Sequence, residues 1–294
     1  MNKKWQHYQI MNKMTLLIIK ISRPKFWLYL AGPFLLGYTL QLTNLVSEPN
    51  SSVLFKFLFG FLYFLIPANF FLYGINDYYD TDTDQYNPKK GSKENKLISQ
   101  NEIKPFLIIS ILLSFVYLLT LNNSVSIILM LLFIFLSYIY SAPPIRLKSR
   151  PFLDSSSNIL YVLPGLIALN EASGILLPWH ILIGFFCWTF AMHLFSAIPD
   201  IEADSKANLK TTAIFLGFKN SLLLCFFMWT IFSLALIQSF GYLLAPTIIY
   251  PLIPIALLIN KKLNINKIYW LFPYINGFIG FLGFLLLVIP PRYQ

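Results

Sequence analysis

Long apolar runs alternate with short polar segments along almost the whole chain. The runs cover 26–42, 53–75, 105–121, 125–142, 158–172, 179–198, 220–243, 245–259 and 268–289. Most of them reach the roughly 17 residues that an α-helix needs to cross a bilayer. The runs at 158–172 and 245–259 are shorter and are interrupted by proline. The pattern predicts an all-α integral membrane protein with about nine transmembrane helices, in a single domain over residues 1–294.

The composition is typical of a membrane protein and unlike that of a soluble globular domain. The chain is 57% hydrophobic and 12% charged, whereas about a quarter of the residues in soluble domains are charged. A net charge of +10 would suit a nucleic-acid-binding protein, but the positions of the charges indicate membrane orientation instead. Of the 22 Lys and Arg residues, 20 lie in residues 1–25 or in loops that helix parity places on the same side, and only Lys56 and Arg292 lie opposite. We therefore expect a bacterial inner-membrane protein with a basic cytoplasmic segment 1–25 and no nucleic-acid partner.

An acidic segment directly after the second apolar run carries the strongest chemical signal in the chain. On a helix, Asp77, Asp80 and Asp84 would share one face, with Asn76 beside them. Like charges at this spacing repel each other. A hard divalent cation, which prefers oxygen ligands, would convert this repulsion into coordination. The charge distribution puts the segment on the cytoplasmic side of the membrane.

Two other interpretations apply to the same segment. A cluster of charges is most often a solvated loop. Asp80, Asp82 and Asp84 also alternate as ligands do in an EF-hand calcium loop. That motif requires glycine where this chain has Gln85, and glutamate where it has Gly91. The EF-hand interpretation therefore fails, whereas the solvated loop remains possible for this segment taken alone.

A second acidic pair favours a metal site over a solvated loop. Asp200 and Asp204 follow the sixth run at i and i+4, four spans after the first cluster, so parity places both clusters on one side. This spacing predicts a pseudo-repeat of two four-helix units that brings the two clusters together across a central cavity. Arg146 and Lys148, in a loop between the clusters, suit the charge of a diphosphate. Arg23 can face a substrate anion or act as a membrane anchor, and the whole arrangement predicts a magnesium–diphosphate site.

Further polar residues near the ends of the runs are candidates for the wall of this cavity. Asn69 precedes Asn76 by one helical heptad, and His193 precedes Asp200 by the same interval, so each pair can face one cavity. His193 and Asp154 are also candidate general bases, although an intramembrane polar residue with satisfied hydrogen bonds is the commoner case. The remaining wall candidates are Tyr140 and Asn158.

The acidic motifs resemble those of the UbiA superfamily of intramembrane prenyltransferases. The matching residues read Asn76-Asp77-x-x-Asp80-x-x-x-Asp84 and Asp200-x-x-x-Asp204, and the resemblance extends over nearly the whole chain. It implies an all-helical bundle around a central cavity that is open to lipid, in which Mg²⁺ bridges a prenyl diphosphate to both motifs. It implies metal-binding roles for Asn76, Asp77, Asp80, Asp84, Asp200 and Asp204, with the five aspartates catalytic. It also implies diphosphate binding by Arg146, Lys148, Lys206 and Lys210.

Within that superfamily, three local strings are similar to the lycopene-elongase type, which prenylates a carotenoid. They begin at Ser22, Tyr140 and Ser196. The implied reaction is the Mg²⁺-dependent transfer of a prenyl group from dimethylallyl diphosphate to a lipophilic acceptor in the bilayer, such as lycopene. One alternative is a quinone-type prenyltransferase with an aromatic acceptor and a longer donor. Another is a transporter with paired acidic half-repeats, although clustering of the charges at one membrane face argues against it.

Overall fold

The computed structural model describes residues 14–47, 50–80 and 100–288, and within these ranges the chain is helical and contains no β-strand. Residues 14–22 form a helical segment before the first long helix. The helices that follow are α1 (Leu28–Ser47), α2 (Ser51–Leu65), α3 (Pro67–Tyr79), α4 (Gln100–Leu118), α5 (Ser124–Ile139), α6 (Leu153–Ser156), α7 (Leu163–Ser173), α8 (Trp179–Ala197), α9 (Ile201–Lys206), α10 (Thr212–Phe240), α11 (Ile249–Ile259), α12 (Ile265–Tyr269) and α13 (Phe272–Val288).

Six helical segments in the described ranges are long and apolar enough to cross a membrane. They are Ser51–Tyr79, Gln100–Leu118, Trp179–Lys206, Thr212–Phe240, Tyr242–Ile259 and Ile265–Val288. The run predicted at 158–172 instead forms a 3-10 helix, Ser157–Tyr161, followed by α7, which has 11 residues. At 1.5 Å per residue, α7 spans only about 16 Å, or roughly half of the hydrocarbon core. The all-helical membrane fold is confirmed, while nine full-length spans remain a prediction.

The second predicted span is divided into two helices at Pro67. Proline has no backbone N–H, so carbonyl groups in the preceding turn lose their helical donor. The Asn69 side-chain amide donates to the Phe64 carbonyl at 2.7 Å and to the Leu65 carbonyl at 3.1 Å. Asn69 therefore donates to carbonyl groups at the break in the helix. It does not line the cavity beside Asn76, which corrects the expectation from the heptad spacing.

Helices α1 and α7 pack closely at two glycines. A Cβ atom on Gly37 would lie 2.2 Å from the carbonyl oxygen of Gly165, and one on Gly165 would lie 2.9 Å from that of Pro33. Small residues allow such backbone approach between membrane helices, where close packing replaces the hydrophobic effect as the attractive force. This contact holds the short α7 against the first long helix.

Two of the three hydrophobic clusters in the described ranges are rich in aromatic residues and contribute to a central cavity. One is built around Phe64 and Phe133 from the first half of the chain, and the other around Phe195 and Trp229 from the second half. Both clusters contribute to the cavity wall. The apolar residues they contribute include Phe26, Leu72, Leu160, Met192 and Ala197. The two halves of the chain thus meet at the cavity, as the spacing of the acidic motifs predicts.

Candidate functional site

The cavity has a volume of about 280 Å³ and joins a charged end to an aromatic wall. The charged residues that line it are Arg23, Asp80, Lys148, Asp200 and Asp204. Its aromatic residues include Phe26, Tyr29, Tyr73, Tyr161, Trp188 and Tyr269. On α8, Trp188 precedes Asp200 by 12 positions, or about 18 Å of helix. The aromatic wall therefore extends well away from the acidic end, into the part of the bundle that is flanked by membrane helices.

The first acidic motif is anchored at the end of α3. Asn76 lines the cavity and donates from Nδ2 to the hydroxyl of Ser141 at 3.0 Å. Asp80, the residue that ends the helix, accepts from Arg146 Nη2 at 3.2 Å and from the Lys148 ammonium. These contacts place the predicted cations of the 140–150 loop against the motif. Asp84 lies outside the described residues.

Asp77 has a different environment from Asp80. It is fully buried, and its Oδ1 accepts from Arg23 Nη2 at 3.0 Å. The Arg23 guanidinium also lies over the Tyr73 ring, 4.5 Å from its centroid. Asp77 does not line the cavity, so in this arrangement it supports Arg23, and Arg23 is the member of the pair that faces the cavity.

The two arginines that reach the first motif share an unusual backbone conformation. Arg23 has φ 54° and Arg146 has φ 44°, so both residues are left-handed. For a residue with a side chain, this conformation costs on the order of 1 kcal/mol and persists only where the surrounding structure holds it, as functional sites often do. In both cases the turn directs a guanidinium group at a buried carboxylate, Asp77 or Asp80.

Burial lowers the pKa of Lys148 to about 7, and the negative charges of Asp77 and Asp204 oppose that shift. Desolvation disfavours the charged ammonium, and nearby anions favour it. A further anion in the cavity would therefore stabilise the charged form of Lys148. This makes the charged end of the cavity suitable for a diphosphate.

The second motif is more open. Asp200 ends the short 3-10 turn Ile198–Asp200, and Asp204 lies in α9; both line the cavity and both are partly exposed. Lys206 instead pairs with Glu202 at 2.9 Å, with both side chains largely exposed. Lys210 is also exposed. The two lysines that the family resemblance assigns to diphosphate binding therefore do not line the cavity.

The donor atoms around the cavity fit a hard cation. Asn76, Asp80, Asp200 and Asp204 present amide or carboxylate oxygens from both halves of the chain. Across the described ranges, His, Cys, Asp and Glu side chains form no group of three gathered around one metal position. This is compatible with Mg²⁺, which typically binds to one or two carboxylates together with substrate phosphates and water instead of an all-protein cage.

A hydrogen-bonded chain of side chains lies beside the charged end. The Tyr140 hydroxyl lies 2.8 Å from His193 Nε2, and the Ser155 hydroxyl lies 3.2 Å from His193 Nδ1. Tyr140 and His193 line the cavity as predicted, and so does Asn158. Asp154 does not line it. Asp154 is instead fully buried, which corrects its assignment to the cavity wall.

Asp154 is held by the start of α10. Its carboxylate accepts from the Thr212 backbone N–H at 2.7 Å, from the Thr212 hydroxyl and from the Ser155 backbone N–H at 2.7 Å. These donors explain how a carboxylate is tolerated in the interior. Ser141, Ser155 and Thr212 contact the site residues but were not predicted from the sequence. Ser141 and Ser155 directly follow Tyr140 and Asp154, which is the only sequence signal they offer, whereas Thr212 lies two positions after Lys210 and offers none.

Comparison with known proteins identifies relatives over most of the chain. The sequence pattern of the UbiA prenyltransferase family matches residues 26–271. A lycopene elongase/hydratase from Haloarcula japonica is 38% identical over 269 residues, which cover 90% of this chain and 88% of that protein. A lycopene elongase/hydratase from Halobacterium salinarum is 39% identical over 268 residues, which cover 88% and 92% respectively.

A solved structure agrees with this assignment at the level of the fold. A UbiA homologue from Archaeoglobus fulgidus bound to DMAPP and Mg²⁺ superposes with a TM-score of 0.71 at 24% identity, over 92% of this chain and 99% of that one. The family match spans both acidic motifs and most of the cavity wall. The chain therefore belongs to the UbiA prenyltransferase family and is an integral membrane prenyltransferase.

Proposed function

We propose that this enzyme transfers a C5 prenyl group from dimethylallyl diphosphate to a carotenoid acceptor such as lycopene. The observation that carries the proposal is the composition of the cavity wall. At one end, acidic residues from both halves of the chain lie with Arg23 and Lys148, and the rest of the wall is rich in aromatic side chains. The resemblance to lycopene elongase/hydratases at 38% and 39% identity supports the choice of acceptor.

In this proposal the charged end binds and ionises the donor. Bound Mg²⁺, held by Asn76, Asp80, Asp200 and Asp204, would neutralise charge on the leaving diphosphate. Arg23 and Lys148 contact the diphosphate oxygens through charge-assisted hydrogen bonds, and Arg146 keeps Asp80 oriented. Asp77 positions Arg23, while Asp84, Lys206 and Lys210 remain predicted participants without a described place at the cavity.

The aromatic wall suits the electrophile that this ionisation forms. As the C1–O bond of the donor breaks, its electron pair leaves with the diphosphate, and an allyl cation remains. Tyr29, Tyr73 and Tyr161 present rings to the cavity, and ring faces attract a cation. The terminal double bond of the acceptor then attacks C1, which forms the new C–C bond and moves the positive charge onto the acceptor.

The size of the cavity favours a short donor. Ligand pockets in proteins typically measure about 300–1,000 Å³, and this cavity is near the lower limit at about 280 Å³. A C5 donor and one end of a carotenoid fit such a volume better than a long polyprenyl chain does. In this proposal the rest of the carotenoid extends beyond the cavity into lipid.

The same proposal includes the topology predicted from the sequence. Nine transmembrane helices in two four-helix repeats, with the acidic motifs on the cytoplasmic side of a bacterial inner membrane, would give a water-soluble diphosphate access to the charged end. Because the native Cys187 and Cys225 are buried, impermeant thiol labelling of cysteines introduced one at a time at Asn122 and Ser205 would test this orientation. Labelling of the Ser205→Cys protein from the periplasm would contradict it.

The test of function is product analysis with the purified protein in lipid nanodiscs. With Mg²⁺, dimethylallyl diphosphate and lycopene, we expect diphosphate release together with carotenoids heavier by one or two C5 units, hydrated or not. Glu202→Gln is the matched control, because Glu202 is an exposed acid on α9 that does not line the cavity. This control should retain wild-type activity.

Two outcomes would replace the proposal. Prenylation of an aromatic acceptor with a longer donor, without reaction of lycopene, would support the quinone-type alternative. Metal-dependent uptake of a prenyl diphosphate into vesicles without diphosphate release would support a transporter.

A further inference from the structure

The hydrogen-bonded chain of Tyr140, His193 and Ser155 is not needed to ionise the donor. Binding and ionisation use the carboxylates and cations at the charged end. His193 lies seven residues before Asp200 on α8 and the turn that follows it, or about 10 Å of helix away. Tyr140 and His193 nevertheless line the cavity. Polar groups inside a membrane bundle are costly, and these two face the cavity instead of only satisfying each other in the packed interior, so a role in the reaction is the explanation to test.

The geometry favours one arrangement of protons. A neutral imidazole donates from one nitrogen and accepts at the other. The Ser155 hydroxyl can accept from Nδ1–H, which leaves Nε2 to accept the Tyr140 hydroxyl at 2.8 Å. Ser155 is itself fixed, because its backbone N–H donates to Asp154 at 2.7 Å. A carboxylate held next to the chain would stabilise a positive charge that forms on the imidazole, as in other hydrogen-bonded acid–base groups.

We infer that Tyr140 and His193 accept the proton that is lost when the acceptor cation is quenched. This inference rests on the proposed function. After the new C–C bond forms, the cation can lose a proton from a neighbouring carbon and form a double bond. Alternatively, a water molecule adds and then loses a proton. In both cases the proton goes to the Tyr140 oxygen, while the hydroxyl proton of Tyr140 passes to His193 Nε2.

The atoms, electrons and protons of this reaction balance without an added reagent. The donor diphosphate leaves with the electron pair of the C1–O bond, the acceptor double bond supplies the pair for the new bond, and one proton ends on His193. No group is oxidised or reduced. Ser155 acts as a positioning residue that fixes the histidine tautomer, and Tyr140 is the group placed to touch the reacting atoms.

The test compares two rates in the same nanodisc assay: diphosphate release and formation of elongated carotenoid. In Tyr140→Phe and His193→Gln proteins we expect diphosphate release to stay near the wild-type rate, since the ionising residues are intact. Carotenoid formed per diphosphate released should fall about 100-fold, the lower part of the range for general acid–base catalysis. The missing product should appear as the free C5 alcohol, because the unquenched cation reverts and is captured by water.

The matched control is Tyr63→Phe. Tyr63 is buried and donates to Ser114 at 2.8 Å, but it does not line the cavity. The Tyr63→Phe variant should leave the coupling ratio, which is the amount of carotenoid formed per diphosphate released, unchanged. A purely structural role for Tyr140 or His193 would lower both rates together, so a selective loss of coupling distinguishes the two explanations. If His193→Gln fails to fold, Ser155→Ala keeps the phenol and imidazole but removes the tautomer lock, and its coupling should fall about 10-fold.

Other results overturn the inference in distinguishable ways. Wild-type coupling in folded Tyr140→Phe and Ser155→Ala proteins would refute it while leaving the proposed function intact. If the wild-type protein itself releases diphosphate without elongating lycopene, then the proposed function fails and this inference fails with it.

Discussion

The two acidic regions of the cavity balance their charge in different ways. At the end of α3, Asp77 is fully buried against Arg23, and Asp80, only 6% exposed, contacts both Arg146 and Lys148. In the second region no residue of α9 is buried, and Asp200, which precedes α9, is partly exposed. One motif is therefore part of the packed structure, while the other lies near the surface.

This difference predicts that only the first motif contributes to the stability of the fold, although both motifs contribute to ligand binding. A buried carboxylate requires a cation and hydrogen bonds, so the first motif, Arg23 and the 140–150 loop must form together when the chain folds. Partly exposed carboxylates on a six-residue helix carry little of the fold. The first motif should thus affect both stability and activity when it is changed, whereas the second should affect activity alone.

The largest expected effect is the loss of stability in Asp77→Ala. Breaking a buried ion pair by removing one partner typically costs about 3–5 kcal/mol, because the other charge is left buried. The Arg23 side chain is only 14% exposed. The Tm of the detergent-solubilised protein should fall clearly, followed with a thiol-reactive dye that reports exposure of the buried Cys187 and Cys225. Asp204→Ala is the matched comparison, and an equal loss of Tm there would remove the distinction between the regions.

The next effect concerns activity, where the two regions should behave alike. Asp80→Asn and Asp204→Asn each remove charge from the atoms that face the proposed metal and diphosphate. Loss of one stabilising group at developing charge costs about 10²- to 10³-fold in rate. We expect each variant to lose diphosphate release in that range, measured at saturating dimethylallyl diphosphate. A loss confined to Asp80→Asn would show that only the first motif serves the reaction.

Ligand binding should order the second region more than the first. A ligand that binds only the folded protein stabilises it by about 2.7 kcal/mol at 100 times its Kd. With Mg²⁺ and an unreactive thio-analogue of dimethylallyl diphosphate, hydrogen exchange should slow most at residues 200–208 and least at 70–79. Mg²⁺ alone and the analogue alone are the controls. Equal protection of both segments would mean that the second motif is already as fixed as the first.

The sequence predicts the broad architecture because its signals are local. Apolar length identifies the long helices, and the positions of Asp80 and Asp204 at the ends of apolar runs predict that they meet. The sequence assigns Arg146 and Lys148 to a diphosphate beside the acidic clusters. In the structure both cations contact Asp80 itself, a partner that the sequence did not predict.

The predictions that Asn69 and Asp154 line the cavity are wrong for the same reason. Each residue makes a tertiary contact that its spacing in the sequence does not encode. Asn69 satisfies carbonyl groups freed at Pro67 instead of facing the cavity. Asp154 bonds to Thr212, 58 positions further along the chain, and so lies behind the cavity wall. The partner that decides the role of each residue comes from another part of the chain, which no helical periodicity reveals.

The smallest expected effect tests the lysines at the second region. Lys206 is 64% exposed and paired with Glu202, whereas Lys148 is 9% exposed and lines the cavity. Exposed ion pairs generally contribute little, so Lys206→Ala should leave the KM for dimethylallyl diphosphate close to wild type. Lys148→Ala should raise it about 10- to 100-fold, the value of one charge-assisted hydrogen bond. If Lys206→Ala raised KM as much as Lys148→Ala does, then α9 must turn its lysine toward the diphosphate on binding. The open second region would in that case be a part of the site that the substrate assembles.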